Sequence, residues 1–344
     1  MSCRLEGGFL LTADLHFVAS ERESYRFGIF DTLSAVAFAN DLRTLFILGD
    51  LTEQKYGNVN VNAQFALVNK ISDRLCGLLA DDVFDRIVIL RGNHDFIDPA
   101  QPFFRFLRYT PNIHFVTAPE VFDWHRGRIL CLPYVADPET EWKHVNWDAA
   151  FVFCHQTFAG ATSNGIKLSG VPIKVFKSTS AEIWAGDIHD PQSVGYVQYV
   201  GSPYDTSFGE NVCQRRIVMV DSVRNCTSVP VEFPRKRKVL VGAPEELHLC
   251  ELSPGDEVRI GIETDADEIA EWPKTRKQAL AIAEELEVIV RGCELVPAEG
   301  PGGLWISRSE KRRLEKEPPA TILRRYCDHE GIDPAILNDG LALL

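Results

Sequence analysis

Five short polar clusters hold the residues of this chain best suited to metal chemistry: Asp14-x-His16, Gly49-Asp50, Gly92-Asn93-His94-Asp95, a lone His155, and Gly186-Asp187-x-His189. Asp14, His16, Asp50, Asn93, His155, Asp187 and His189 offer carboxylate, amide and imidazole donors, which hard and borderline divalent cations prefer. The two oxygens of Asp50 allow it to bridge a pair of ions. Three carboxylates facing two divalent cations leave a net positive charge, which suits an anionic phosphodiester. Each signal is weak alone. An Asp-x-His pair arises by chance, and a single His on an apolar strand is commonly a satisfied core residue. Gly-Asn-His-Asp directly after the Ile87–Leu90 run is more specific. The ordered set of five points to paired metals clamping a phosphate ester.

The elements that must position these residues are apolar runs that read as buried strands. Gly8–Leu11, Leu45–Leu48, Ile87–Leu90, Phe151–Cys154 and Ile183–Ala185 each end at one of the clusters. Open α/β sheets bind ligands beyond the carboxyl ends of their strands, so five clusters at five strand ends predict one shared site. Asp14 and His16, two apart, are expected to point to the same side. Helical spacing covers 24–41, with Tyr25, Leu33, Val36 and Ala37 on one face, and 62–80, with Phe65, Val68, Ile71, Leu75 and Leu78. After Asp95, strands are expected at 113–116, 128–132, 150–154, 182–186, 196–200, 215–220 and 228–233. That density predicts an α/β fold of two sheets packed face to face with helices outside. Pro234 marks a boundary. Beyond it, Glu257–Thr264 reads as a strand, Lys274–Leu286 as a helix and Glu287–Cys293 as a strand. The expected division is 1–234, a small α/β unit over 235–298, and 299–344 as linker and tail. The linker is Pro297–Gly303 by composition. The tail from Pro318 carries Ile322, Leu323, Tyr326, Ile332, Ile336, Leu337, Leu341, Leu343 and Leu344, an apolar set too small for a core of its own.

Composition sets outer bounds. The chain has 344 residues, 45% hydrophobic and 25% charged, as expected of a globular protein. No apolar run is long enough to span a bilayer. The N-terminus shows no apolar segment ahead of a cleavage site, which predicts no secretory leader. The nine cysteines have no regular spacing. Several, such as Cys131 and Cys154, sit in apolar strands, as reduced thiols of a cytoplasmic protein do. A formal net charge of −13 argues against a chain that coats nucleic acid indiscriminately. Local basic patches still permit it as a substrate. The run Arg235–Lys238 is the densest, and Lys167, Lys174 and Lys177 surround a Gly- and Ser-containing loop. Each reads first as solvated surface.

The five clusters together resemble the calcineurin-like metallophosphoesterase superfamily, whose pattern is DxH, GD, GNH(D/E), H and GHxH in that order. The segment Tyr199-Val-Gly-Ser-Pro-Tyr-Asp-Thr-Ser-Phe-Gly-Glu210 further resembles SbcD-type DNA repair nucleases, as does His155-Gln156 after a buried strand. The likeness spans about residues 8–233; the C-terminal third resembles the family only in layout. The resemblance implies a four-layer αββα fold, a small α/β capping domain and a helical tail. One metal would be held by Asp14, His16, Asp50 and His189, and the other by Asp50, Asn93, His155 and Asp187. His94 would bind no metal; it would stabilise charge near the scissile phosphate and help protonate the leaving oxygen. Asp95 and Glu53 complete the candidate catalytic group. Implied partners are DNA ends, an SMC-like ATPase of the SbcC kind, and a second copy of the chain meeting it through 24–41 and 62–80.

Two positions depart from the pattern. Asp187 stands where the family has the first His of GHxH, a harder ligand that leans the site toward Mn²⁺ or Mg²⁺. Glu53 stands where SbcD-type enzymes often carry a His that pairs with the His of GNHD; it either orients His94 or points elsewhere. The leading expectation is a two-metal DNA nuclease. A phosphoesterase for small phosphodiesters or phosphoproteins, and a weakly active scaffold that binds DNA ends or the ATPase, are the alternatives.

Overall fold

In the computed structural model, residues 4–53, 61–96, 98, 100–176, 179–264 and 269–297 are described. Lys177 and the apolar tail from 318 lie outside them. The chain divides into two compact units, residues 1–262 with 273–294, and residues 263–272 with 295–344. The site lies within the first.

Two six-stranded mixed sheets dominate. The first runs Cys226–Pro230, Arg216–Val220, Phe9–Thr12, Thr44–Ile47, Arg86–Leu90, Ile113–Val116 in spatial order. Its last four strands are parallel, while Arg216–Val220 is antiparallel to both its neighbours. The second runs Gln192–Val194, Val197–Tyr199, Glu182–Gly186, Phe151–His155, Gly127–Leu132, Glu120–Trp124, with antiparallel edges and a parallel centre. Each sheet thus sends several strands' carboxyl ends to one rim, which is where ligands bind in such sheets.

Alternation along the strands decides which face each residue covers. Phe9, Leu11, Phe46, Leu48, Val88 and Leu90 join Trp124, Ile129, Phe151, Phe153 and Trp184 in a core between the sheets. The Phe9 ring meets Phe46, Trp124, Phe151 and Phe153 edge to face, with centroids 5.2 to 5.7 Å apart. The intervening Leu10, Leu45, Ile47, Ile87 and Ile89 face the other way and pack on the helices Gly28–Asn40 and Val61–Ala80. Burial on both faces explains why these strands read as unbroken apolar runs. Over the outer face of the second sheet the cover is slighter than the expected helical layer. The short turns Pro138–Glu141 and Ile173–Phe176 bring Trp142 and Phe176 onto Leu130, Val152 and Ile183.

Some local expectations need correction. Residues 21–27 form a tight 3₁₀ segment that gives way to the α-helix only at Gly28. In the second helix Leu67, Ile71, Leu75 and Leu78 are the buried set, and Phe65 is 64% exposed. Phe65 lies six residues before Ile71, about 120° round a helix of 3.6 residues per turn, so it cannot share that face. The basic run opens a strand, Lys236–Val241, which pairs in parallel with Glu257–Thr264 in a sheet completed by Ile289–Pro297. Lys236 is buried, with Nζ 2.6 Å from Glu23 Oε1. It is therefore not solvated surface. The helix after this strand pair is Trp272–Glu285, and the final strand starts at Ile289, later than expected. No helix among the described residues is long and apolar enough to cross a membrane.

Candidate metal centre

Asp14, His16, Asp50, Asn93, His94, His155, Asp187 and His189 all follow or close the parallel strands, and the structure gathers them at one place. Asp50 is the pivot. Its Oδ2 lies 3.5 Å from His16 Nε2 and 3.4 Å from His155 Nε2. His16 and His189 approach Nε2 to Nε2 at 3.0 Å. His155 Nε2 is 2.9 Å from Asn93 Oδ1 and 3.7 Å from Asp187 Oδ1. Two groups have donor atoms close enough to share an ion: Asp14, Asp50 and His155, and His16, Asp50 and His94. The second contains His94, expected to stand outside the ligand set.

The convergence of Asp14 and His16 does not come from strand alternation. The strand ends at Thr12, and both residues adopt left-handed backbone, φ 54° and 40°. Asp50 and Asp187 do the same, at 53° and 91°. Such conformations cost about 1–3 kcal/mol each outside glycine and persist where the surroundings impose them, commonly at functional sites. The close approach also demands missing side chains. A Cβ on Gly49 would stand 2.1 Å from His155 Nδ1, and one on Gly92 would stand 2.0 Å from Asp50 Oδ1.

Two imidazoles, His155 and His189, are hydrogen-bonded at Nδ1 and present Nε2 to the centre, and His16 has a carboxylate beside its Nδ1. His155 Nδ1 lies 2.6 Å from the Leu48 carbonyl, His16 Nδ1 lies 2.6 Å from Glu53 Oε2, and His189 Nδ1 lies 2.8 Å from Glu210 Oε1. For His155 and His189 that is how metal-binding histidines are held: an outer oxygen takes one ring N–H and leaves the other nitrogen for the ion. Glu53 thus serves His16 first; its other oxygen is 3.7 Å from His94 Nδ1. The His94 ring stacks edge-on to His16, and its backbone N–H donates to Asp50 Oδ1 at 2.9 Å. Asp95 is fully buried and faces away from this chemistry. Its oxygens accept the backbone N–H groups of Asp50, Leu51, Thr52 and Gly92 at 2.8 to 3.3 Å, which clamps two ligand turns together.

The centre calls for positive charge. Asp14 Oδ2 is buried with no hydrogen-bond partner. The Asn93 amide lies among Asp50 Oδ2, Asp187 Oδ1 and His155 Nε2; turned one way its NH₂ donates to them at 2.9 to 3.2 Å, and turned the other its oxygen is open to a cation. Burial pushes Asp14 up to about 6, against the pull of His155 and His189. Burial also opposes the charge on His155, yet Asp50, then Asp14 and Asp187, hold its imidazole well above the ordinary value. Asp50 goes the other way: burial would raise it, but the charge and hydrogen bond of His155, with His16 and His94, keep it well below the carboxylate range. Against burial, the His189 hydrogen bond and charge bring Glu210 down to about 2. The donor set fits divalent cations.

Residues 8–161 match the family profile of calcineurin-like phosphoesterases. The chain carries a metallophosphoesterase domain. The match covers four of the five clusters, and the two six-stranded sheets are those of the metallophosphoesterase fold. The domain is metal-dependent in its family, and the donor groups above are its candidate ligands. No curated protein matches this chain in sequence. Among solved structures, a novel archaeal phosphodiesterase aligns over 65% of this chain and 99% of its own, at 8% identity and a TM-score of 0.34. A protein of unknown function from Aquifex aeolicus aligns over 39% of this chain and 63% of its own, at 18% identity and a TM-score of 0.20. Neither likeness is close enough to carry an argument.

Beside Asn93 and Asp187 the metallophosphoesterase domain opens a cleft of about 420 Å³, walled by Tyr134, Gln156, Thr157 and the turn 169–172. Sequence reasoning did not single out Thr157, whose hydroxyl donates to Asp187 Oδ2. Nor did it assign a role to Glu210, though it quoted that residue within a family segment. Its offset from His189 has no motif to flag it.

Proposed function

We propose that the chain is a two-metal phosphodiesterase acting on DNA ends. The observation that carries the phosphodiesterase part is the placement of Asp50 between two imidazoles. His16 and His155 each turn Nε2 toward the same Asp50 oxygen, His155 with Nδ1 at the Leu48 carbonyl and His16 with Nδ1 2.6 Å from Glu53 Oε2. One ion would be held by Asp14, His16, Asp50 and His189, and the other by Asp50, Asn93, His155 and Asp187. Divalent ions in such a site supply Lewis-acid polarisation of a phosphoryl oxygen and a more acidic bound water. The side chains do the rest. Asp50 and Asp187 supply carboxylates to retain cations, and substrate would reach them from the cleft beside Asn93 and Asp187. His94, beside Glu53 and His16, would stabilise charge at the phosphate and give a proton to the leaving oxygen. Carboxylate and amide oxygens in the set favour Mn²⁺ or Mg²⁺ over softer ions.

DNA as substrate rests on the likeness of Tyr199–Glu210 to SbcD-type nucleases. With that likeness come an SMC-like ATPase, a two-fold dimer and work in the cytoplasm. Exposed Phe38 and Phe65, on two helices that touch each other, support an interface there. The test is metal analysis followed by assays on linear duplex DNA and on bis(p-nitrophenyl) phosphate, with Mn²⁺ and Mg²⁺ compared. Degradation of DNA that Asp50→Asn abolishes supports this reading. Hydrolysis of the small ester with DNA left intact favours the phosphodiesterase of small substrates. No hydrolysis of either, with metal bound, leaves the scaffold.

A further inference from the structure

Arg215 lies 26 residues beyond His189, where the last of the five clusters ends, and among the described residues it is one of the largest fully buried side chains. Its guanidinium is spent on one small region. Nη1 donates to the main-chain carbonyl of His189 at 2.7 Å and reaches Asp190 Oδ1 at 3.4 Å. Nη2 donates to Glu210 Oε2 at 2.8 Å, and Nε donates to Asp205 Oδ1 at 2.8 Å. Glu210 then places its other oxygen 2.8 Å from His189 Nδ1. Thr206 closes the loop, its N–H donating to Glu210 Oε2 at 3.1 Å and its hydroxyl lying between Glu210 and His189. His189 is therefore gripped twice by one arginine, at its backbone directly and at its ring through Glu210.

We propose that Arg215 is the positioning residue of the metal centre on its His189 side: it sets the direction of His189 Nε2 by holding Glu210 and the His189 carbonyl in one planar fork. This deepens the two-metal reading and rests on it. A planar guanidinium is suited to the task because it serves these four acceptors at fixed angles, which an ammonium cannot. The arrangement also ties the site to the third sheet. The second oxygen of Asp205 accepts the backbone N–H of Lys236, the start of that sheet, at 2.9 Å. His155, by contrast, is anchored by the Leu48 carbonyl and owes nothing to Arg215. The proposal therefore distinguishes the two ions: the His189 side depends on Arg215 and the His155 side does not.

The test uses Arg215→Lys, which keeps the buried charge and removes the fork. Full removal would strand the Asp205 and Glu210 carboxylates and threaten folding. Mn²⁺ binding to the whole chain is followed by calorimetry and by the spin-coupled signal of a Mn²⁺ pair. The expected result is one ion bound as in the wild type and the other weakened by about 10–100-fold, the usual effect of losing an outer anchor. The pair signal falls while a single-ion signal remains, and the melting temperature of the metal-free protein moves less than the increment that Mn²⁺ adds to it. Two ions bound as tightly as in the wild type overturn the proposal. So does an equal loss at both positions, which is what a general loosening of the core produces. Should Arg215→Lys fail to fold, Glu210→Gln, which keeps an acceptor for His189 but not the charge that Arg215 holds, is read by the same criteria. A wild-type chain that binds no ion overturns the two-metal reading beneath it instead.

Discussion

Replacing Asp95 by asparagine removes a carboxylate that touches no substrate, and the structure gives the size of the effect. One oxygen of Asp95 accepts from Leu51 and Thr52, and the other from Asp50 and Gly92. An asparagine keeps a single acceptor oxygen. Whichever way it turns, its NH₂ faces two backbone N–H donors that then have no acceptor in a fully buried setting. A buried donor left unsatisfied costs about 1–3 kcal/mol, so two give about 2–6 kcal/mol. Part of this is returned in the metal-free protein, because burial and the nearby Asp50 already push Asp95 up to about 7, so its charge is held at a cost. The expected net loss is about 1–4 kcal/mol, a sizeable share of the stability of an ordinary domain. The loss reaches the site as well, since the clamped turns carry Asp50 and Asn93. Urea unfolding of metal-free protein, read by far-UV circular dichroism, measures the first effect, and Mn²⁺ calorimetry the second. A variant within about 0.5 kcal/mol of wild type, with an unchanged denaturant slope and unchanged Mn²⁺ affinity, would refute the clamp.

His94→Ala is expected to reduce phosphodiester hydrolysis by about 10²–10⁴-fold, the range for a general acid or base. It should leave two ions bound. Loss of an ion in calorimetry would instead make His94 a ligand, as its closeness to His16 and Asp50 allows. Gly49→Ala should abolish the second ion and destabilise the fold, because the new methyl meets the His155 ring on a backbone at φ 96°; wild-type metal stoichiometry in this variant counts against the packing account. For pH, Glu23 is the informative group. Burial works to raise it, but Arg26 and then Lys236 hold it below the usual carboxylate range. A depressed folded value contributes stability above the unfolded pKa of about 4.3 that is lost as pH falls through the folded value. Glu23→Gln should therefore be less stable than wild type at pH 7, with the gap closing in acid; a gap that is constant from pH 7 to pH 3 contradicts the pairing.

Much of this architecture could be read ahead of the structure, for a physical reason. Strands buried on both faces must be apolar throughout, so Leu45–Leu48 and Ile87–Leu90 stand out from any background, and polar residues directly after them have nowhere to go but the rim. That logic brought seven donors from five distant segments to one place. It failed where the information is not in side-chain type. Phe65 has the chemistry of a core residue but the wrong angle on its helix. Lys236 looks solvated until Glu23, far away in sequence, is placed beside it. The anchor of His155 is a backbone carbonyl, at Leu48, and every residue has one. The left-handed residues Asp14, His16, Asp50 and Asp187 are not glycines, so their own residue type does not announce the conformation. Their cost must be met by contacts elsewhere, and the candidates are on either side of them: the aromatic cluster around Phe9 beneath the site, and the buried forks of Asp95 and Arg215 around it. A ligand set held in strained backbone keeps its geometry only while those supports hold. Substitutions that never touch an ion should therefore act on metal affinity, and the Asp95 and Arg215 variants reach that outcome by separate routes.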